Sequence, residues 1–258
     1  MIMNSILLRV LLGTTLVVAG WGSSSRSDFV SLNPNQDISI YSEAAVNIGK
    51  GNLFSGRTAQ GNLRRAILEF DLSSIPSGAI INSVSLNLNL IKTGAAGADI
   101  FELHRVLKAW GEGTSVGTGS GGGQGTAPSA GSATWNFSQF STTAWTAVGG
   151  DFAATSGTTS IGNTNGIYTF SSQSGMVADV QNWLNTPASN FGWILNAQTE
   201  GSLQNAREFG SRESALSLLP TLAVTYSITA VPEPGSLVFL GAAALVASAY
   251  RSSGRRRR

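Results

Sequence analysis

Cysteine is absent from this chain of 258 residues, and histidine occurs once, at His104. Without a thiol there is no disulfide framework and no cysteine nucleophile. With one imidazole, a zinc hydrolase centre lacks the two or more nitrogen or sulfur ligands it normally takes. A Ser-His-Asp triad has only His104 to draw on, and no nucleophile elbow, with its strand-turn-helix setting, is read in the sequence. Charge is scarce as well, at 12% of residues, and the formal balance of +2 misleads. Five of the 16 Lys and Arg residues lie in the last eight positions, and Arg9 lies near the start. Residues 25–230 hold 10 basic and 13 acidic side chains, a net charge near −3. The pI of 9.2 is therefore a property of the tail and does not indicate a nucleic-acid partner. Paired carboxylates for glycoside hydrolysis have one candidate pair by proximity, Glu69 and Asp71. Asp71 is better suited to cap the turn that follows it. These gaps point to a non-enzyme without a cofactor, stabilised by packing.

Two apolar runs flank this body. Near the start, Arg9 precedes an apolar stretch from Val10 to Ala19, and small residues follow from Gly22 to Ser25. This is the layout of a secretory signal peptide over residues 1–24, cleaved between Ala19 and Ser24. Trp21 stands where a lipoprotein would need its cysteine, so no lipid anchor is expected. In the tail, Val231-Pro232-Glu233-Pro234-Gly235-Ser236 leads into 14 residues, Leu237 to Tyr250, and then into Arg251 and Arg255 to Arg258. Two prolines fix φ, remove amide donors and keep their segment extended. The apolar run can enter a bilayer as a helix, although it falls short of the ~20 residues of a comfortable span. The arginines would stay on the cytoplasmic side. The succession of Pro-Glu-Pro, apolar helix and arginine cluster over residues 231–258 resembles the PEP-CTERM sorting signal of Gram-negative bacteria. The resemblance implies an exosortase-type enzyme that processes the chain near Pro232, Glu233 and Pro234. It also implies a membrane anchor before processing, and delivery to the cell envelope, surface or extracellular matrix.

Residues 25–230 read as β structure. In SVSLNLNLI, Val84, Leu86, Leu88 and Leu90 alternate with Ser85, Asn87 and Asn89, which puts the aliphatics on one face. In RRAILEFDL, Ala66, Leu68 and Phe70 alternate with Arg65, Ile67 and Glu69, and SSIPSGA supplies a turn. Further strands are expected at residues 37–41, 98–107, 166–170, 192–197, 207–211 and 221–228. One stretch follows another period. In GMVADVQNWLN, Met176, Val177, Val180, Trp183 and Leu184 fall on one face of a short helix, closed by Asn185 and Pro187. The expected class is all-β: an antiparallel two-sheet sandwich, jelly-roll-like by preference although periodicity does not separate it from an immunoglobulin-like order, with one short helix and hydrophobic helices at both termini. Between Gly111 and Gly131 lie nine glycines. Gly117, Gly119 and Gly122 satisfy GxGxxG there, but no strand ends into it and no helix opens after it. That segment is expected to be a flexible loop.

Several segments together resemble the DNRLRE domain over residues 37–228. They are the FDLSSIP turn, Trp110-x-Glu112 followed by Thr134-Trp135, VADVQNWLNTPASNFGWILN, and Ser211-Arg212-Glu213 before PTLAVTY. The resemblance implies a jelly-roll β-sandwich of secreted proteins, commonly found beside polysaccharide-active enzymes, with some members binding acidic polysaccharides. The insertion after Trp110 departs from that pattern, in which the two tryptophans stand closer.

Sugar binding needs aromatic faces and polar forks. Trp183 and Trp193 are expected in the core, and Trp145 is the candidate exposed ring. Arg64, Arg65, Arg105 and Arg212 are candidate cationic forks, since guanidinium matches carboxylate geometry bidentately and suits uronic acids. The alternative for each is a structural ion pair, as for Arg212 beside Glu213. The resulting expectation is an exported, non-catalytic polysaccharide-binding protein. A matrix scaffold without specific glycan binding and a polysaccharide-active enzyme stand as alternatives.

Overall fold

The computed structural model describes residues 25–43, 46–119 and 122–229. The expected signal peptide, the sorting segment with Pro232, Glu233 and Pro234, and both terminal hydrophobic helices lie outside the described residues. Among the described residues no helix is long and apolar enough to cross a membrane.

Alternation builds the centre of the first sheet. Ile80–Thr93 (β6) buries Val84, Leu86, Leu88 and Leu90 completely and turns Ser85, Asn87 and Asn89 outward. Leu86 faces Leu222 of Thr221–Thr229 (β14) on one flank and Phe170 of Gly166–Phe170 (β11) on the other. Beyond Leu90, Arg207–Phe209 (β13) pairs with the same strand, and Ser25–Leu32 (β1) lies outside β14. The second sheet is centred on Leu63–Phe70 (β5). Pro34–Tyr41 (β2) pairs with it along one edge, with Asn47–Ile48 (β3) beyond. Along the other edge come Trp193–Ala197 (β12), Asp99–Val106 (β7) and Phe152–Ile161 (β10), all antiparallel.

One strand joins the two sheets. Leu53–Arg57 (β4) pairs with β13 through Leu53 to Ser55 and with β5 through Gly56 and Arg57. The change of partner occurs at Gly56, whose φ of 107° is a conformation L side chains rarely adopt. A Cβ there would stand 2.8 Å from the Asn205 carbonyl oxygen. Most neighbours are distant in sequence (β14 and β13 with β6, β12 with β5), so the fold is an antiparallel two-sheet sandwich with jelly-roll-like crossovers.

Two apolar clusters follow from the alternation of β5. Ala66, Leu68 and Phe70 face inward, with Val84, Leu86, Leu88, Phe101, Leu103, Phe170, Trp193 and Leu222 around them. Helix Ser174–Asn185 (α1) packs on this core with Met176, Val180 and Trp183 buried and Val177 and Leu184 at its margin, the face its spacing predicts. Ile67 points the other way, into a second cluster with Ile38, Ile40, Val106, Trp110, Trp145 and Ile194. Residues 107–151, with the small hairpin Phe137–Gln139 (β8) and Thr143–Ala144 (β9), supply part of that cluster.

Parts of the glycine-rich segment pair with neighbouring backbone. Asn47 and Thr126 exchange both backbone hydrogen bonds at 3.1 Å, and Thr118 and Gln124 pair at 2.8 and 2.9 Å. A Cβ at Gly125 would come within 2.8 Å of the Tyr41 ring, and one at Gly117 within 2.0 Å of the Gly122 carbonyl oxygen. At these two positions glycine permits a close approach of the chain.

Candidate functional site

The candidate cationic forks are engaged inside the protein. Arg64, 8% exposed, forks onto the Glu43 carboxylate and stacks 3.7 Å over the Tyr41 ring. Arg65 donates to both Glu200 oxygens at 2.7 Å and to the Gly149 carbonyl at 2.8 Å, and lies over the Trp135 ring. Arg105 pairs with Asp179 at 3.0 Å, a carboxylate that also accepts the Trp193 indole N–H at 2.8 Å. Arg212 donates to both Glu112 oxygens at 2.9 Å. Arg64 and Arg65 are consecutive in a strand, so they face opposite sides of the sheet and cannot share one ligand. Trp145 is buried rather than exposed. It belongs to the second apolar cluster, and its indole N–H donates to the Thr134 carbonyl at 2.8 Å. The expected ring-and-arginine site is therefore not assembled.

Two of the sequence motifs meet at one carboxyl. Glu112, from Trp110-x-Glu112, accepts the Asp37 backbone N–H at 2.9 Å. Arg212, from Ser211-Arg212-Glu213, donates its backbone N–H to Asp37 Oδ2 at 2.8 Å. Lys50 bridges Glu112 and Glu213 at 2.5 and 3.1 Å. One oxygen from each of Asp37, Glu112 and Glu213 falls within 4.8 Å of the others, a spacing that could hold a cation. Two features oppose that use. Lys50 and Arg212 already neutralise the cluster, and burial pushes the Asp37 pKa up to about 8, which keeps the carboxyl protonated at neutral pH. The arrangement is an ion-pair network that ties β2 to the insertion and to the segment after β13.

No arrangement for nucleophilic catalysis is present among the described residues. Gly113-Thr114-Ser115-Val116-Gly117 spells GxSxG. Ser115 is buried, its hydroxyl donates to Asn47 Oδ1, and no helix follows, so it is not an elbow. Tyr41 beside Arg64 has the pairing a lyase would use, but Tyr41 is 1% exposed and burial pushes its phenol well up. His104 is held between the Ala153 carbonyl at 3.0 Å and Glu102 at 3.3 Å.

Two features have room for a ligand: a more open depression of about 640 Å³ lined by Leu107, Lys108, Thr146, Ala147, Gly150, Asp151 and Phe152, and a more enclosed cleft of about 570 Å³ at the end of β5, between the turn at residues 71–77 and the end of α1. Both are the size of an ordinary ligand site. Glu69 and Asp71 stand in the lining of the cleft with Asn35, Asn190, Trp183 and Pro187. Each carboxylate is held by neutral donors. Glu69 accepts the amides of Asn35 at 3.1 Å and Gln36 at 2.7 Å. Asp71 accepts the backbone N–H and hydroxyl of Ser73, both at 2.9 Å, and so caps the turn as expected. Asn190 closes the helix side by donating to the Phe70 carbonyl at 2.8 Å. The Trp183 ring packs at 4.6 Å on Trp193, and its indole N–H is buried without an acceptor among the described residues. Compared with known proteins, the chain matches no family model and no curated protein. What this cleft can do must be argued from its own chemistry. It offers acceptors at the rim and an apolar floor from Phe70, Leu72 and Ile75.

In the sequence, Glu69 and Asp71 suggest only a catalytic pair, and Trp183 only a core residue. Their meeting in one cleft required the helix to dock beside the end of β5. The signal available in the sequence was the crowding of polar residues at both of those element ends. Arg207 escaped it altogether. This side chain is 1% exposed, donates to the carbonyls of Gly162, Asn205, Gly97 and Ile161, and has its pKa lowered by burial.

Proposed function

We propose that this protein is an exported module of the cell envelope that binds polysaccharide through the cleft at the end of β5. The cleft carries the reading: among the described residues it joins a ligand-sized volume to polar groups and an apolar floor. Export rests on the leader-like residues 1–24. Sorting rests on the succession from Val231 to Arg258, read as a PEP-CTERM signal for an exosortase-type enzyme with a transient membrane anchor. The DNRLRE-like segments supply the expectation of polysaccharide as partner. An enzymatic reading has less support, because Asp71 is exposed and both candidate carboxylates are already held by hydrogen bonds. Screening the protein on an array of polysaccharides tests the binding, with micromolar to millimolar affinity expected, roughly −8 to −4 kcal/mol. Alanine at Pro232, Glu233 and Pro234 tests the sorting: the variant should stay membrane-bound and unprocessed, and release equal to wild type would refute it.

One observation favours a second reading, a matrix scaffold without specific glycan binding. Trp110, Trp145, Trp183 and Trp193 are buried, and the half-buried Trp135 is covered by Arg65, itself paired with Glu200, so among the described residues no exposed tryptophan stands beside a free arginine. A folded protein that binds no glycan on the array would leave this reading standing.

A further inference from the structure

We propose that the turn between β10 and β11 is a site of spontaneous modification, where Asn165 loses ammonia through Gly166 and becomes aspartate or isoaspartate as the protein ages. Asn165-Gly166 is the one Asn-Gly pair in the sequence. The chemistry needs only water. The backbone nitrogen of Gly166 attacks Cγ of Asn165, the bond from Cγ to Nδ2 breaks, and ammonia leaves with the proton of the attacking nitrogen. Water then opens the cyclic imide at one of its two carbonyl carbons. Opening at Cγ gives aspartate. Opening at the main-chain carbon gives isoaspartate, whose backbone runs through the side chain and is one carbon longer. Local structure exposes this pair. Asn165 is exposed, in the turn that joins Phe152–Ile161 to Gly166–Phe170. Gly166 has no side chain to shield its nitrogen, and a Cβ placed there would meet nothing within 4 Å. Asn82, Asn163 and Asn185 are exposed too, but they precede Ser83, Thr164 and Thr186, whose side chains crowd the attack. Asn196 and Asn205 are buried.

The same side chain pins the turn to its neighbours. Asn165 Nδ2 donates to the Ile91 carbonyl of β6 at 2.7 Å, and Asn163 Nδ2 donates to the Ala96 carbonyl at 3.1 Å. The Tyr168 hydroxyl donates to the Thr164 carbonyl at 2.9 Å. Arg207 fixes the residues before the turn through the carbonyls of Ile161 and Gly162. After the turn, β11 pairs with β6 from Gly166 opposite Leu90 to Phe170 opposite Leu86, and Phe170 is fully buried. The nitrogen that leaves as ammonia is the donor to Ile91. Aspartate in its place would set a carboxylate oxygen against that carbonyl, acceptor against acceptor. Isoaspartate adds a backbone carbon between two ends that are both held, at Gly162 and at Phe170. The strain falls on residues 163–167, so the turn and the first pairs of β11 give way while Arg207 and Phe170 stay in place. Ring closure needs the turn to open far enough for Cγ to reach the nitrogen. Its rate therefore follows local opening rather than global unfolding.

The test incubates the full-length protein at mildly alkaline pH over several weeks. Chymotrypsin then releases residues 153–168, between Phe152 and Tyr168, for mass spectrometry. The mass change of one amide-to-acid exchange should accumulate on Asn165, with isoaspartate separated from aspartate by chromatography. It should form about tenfold faster there than on Asn82, Asn163 or Asn185, a barrier lower by about 1.4 kcal/mol. Asn165→Gln keeps an amide but must close a larger, slower ring, so it should stay unmodified. Asn165→Asp makes one product directly, and should lower the thermal midpoint by about 2–4 °C, the shift that one lost hydrogen bond gives in a domain of this size. In the modified wild-type protein, amide hydrogen exchange should quicken over residues 163–168 and stay unchanged in β6 and β14. An unmodified Asn165 in the folded protein, under conditions that convert a synthetic peptide of residues 153–168, would overturn the site. Conversion of Asn82, Asn163 and Asn185 at the same rate would overturn it as well. Unaltered exchange in the modified protein would overturn the loosening of the turn. The wild-type time course requires no variant to fold.

Discussion

Replacing Asp37 by asparagine should flatten the loss of stability between about pH 5 and pH 8. The carboxyl is 1% exposed, and its Oδ1 has no partner among the described residues. Burial is the main cause that pushes its pKa from 3.8 up to about 8. The hydrogen bond from the Arg212 backbone opposes the shift, and the charges of Glu213 and Glu112 add to it. In the unfolded chain the group titrates near 4. Between those two values the folded protein holds a proton that the unfolded chain has released. Its contribution is thus most favourable below the unfolded pKa, declines as pH rises through the window, and levels off above about 8. The limiting slope for one proton is roughly 1.4 kcal/mol per pH unit, so about 2–3 kcal/mol should disappear between pH 5 and pH 7. The amide introduced by Asp37→Asn retains an acceptor for the Arg212 N–H but cannot ionise. Urea denaturation of both proteins at intervals of one pH unit gives the difference at each pH, and groups common to both, such as Glu208, cancel. The variant should gain on wild type as pH rises, with most of the gain complete near pH 8. A difference that stays constant from pH 5 to pH 9, or one that moves in favour of wild type, would refute the assignment of a buried proton to Asp37.

Two further substitutions test the packing and the arginines. Leu86→Ala removes a fully buried side chain from the central strand and should cost about 2–5 kcal/mol in unfolding free energy; a change below about 0.5 kcal/mol would show that this face is not buried. Arg65→Ala removes a bidentate contact to Glu200 and a bond to Gly149, so it should cost about 1–3 kcal/mol while leaving glycan binding unchanged. Lost binding at unaltered stability would return Arg65 to the site.

The reading of residues as strands and helix survived folding because alternation is a local property. Ile80–Thr93, Gly166–Phe170 and Thr221–Thr229 lie where period-two patterns or β-rich runs placed them, and Ser174–Asn185 lies where a 3.6-residue pattern did. Strands without that signal were missed. Phe152–Ile161 runs FAATSGTTSI, with little apolar content to alternate, and it forms by pairing with Asp99–Val106. Leu53–Arg57 is interrupted by the glycine that lets it change sheets.

The site was far less legible, and the arginines show why. From composition alone, an arginine in an acidic body can serve a ligand or a neighbour. Arg64 reaches Glu43 across 21 positions, Arg212 reaches Glu112 across 100, and Arg65 reaches Glu200 across 135. Trp145 had no apolar pattern around it and looked exposed, yet the outer face of the second sheet, with Ile38, Ile40 and Ile67, gave it a place to pack. By itself, the sequence determined the class of fold, the inward face of its central strands, the exclusion of thiol chemistry and the expectation of export. Only the tertiary structure decided which charges are cancelled and which remain. Hydrophobic alternation is written residue by residue along a strand, whereas the neutralisation of a charge depends on which distant strand end arrives beside it. At the end of β5, among the described residues, no cation pairs with Glu69 or Asp71.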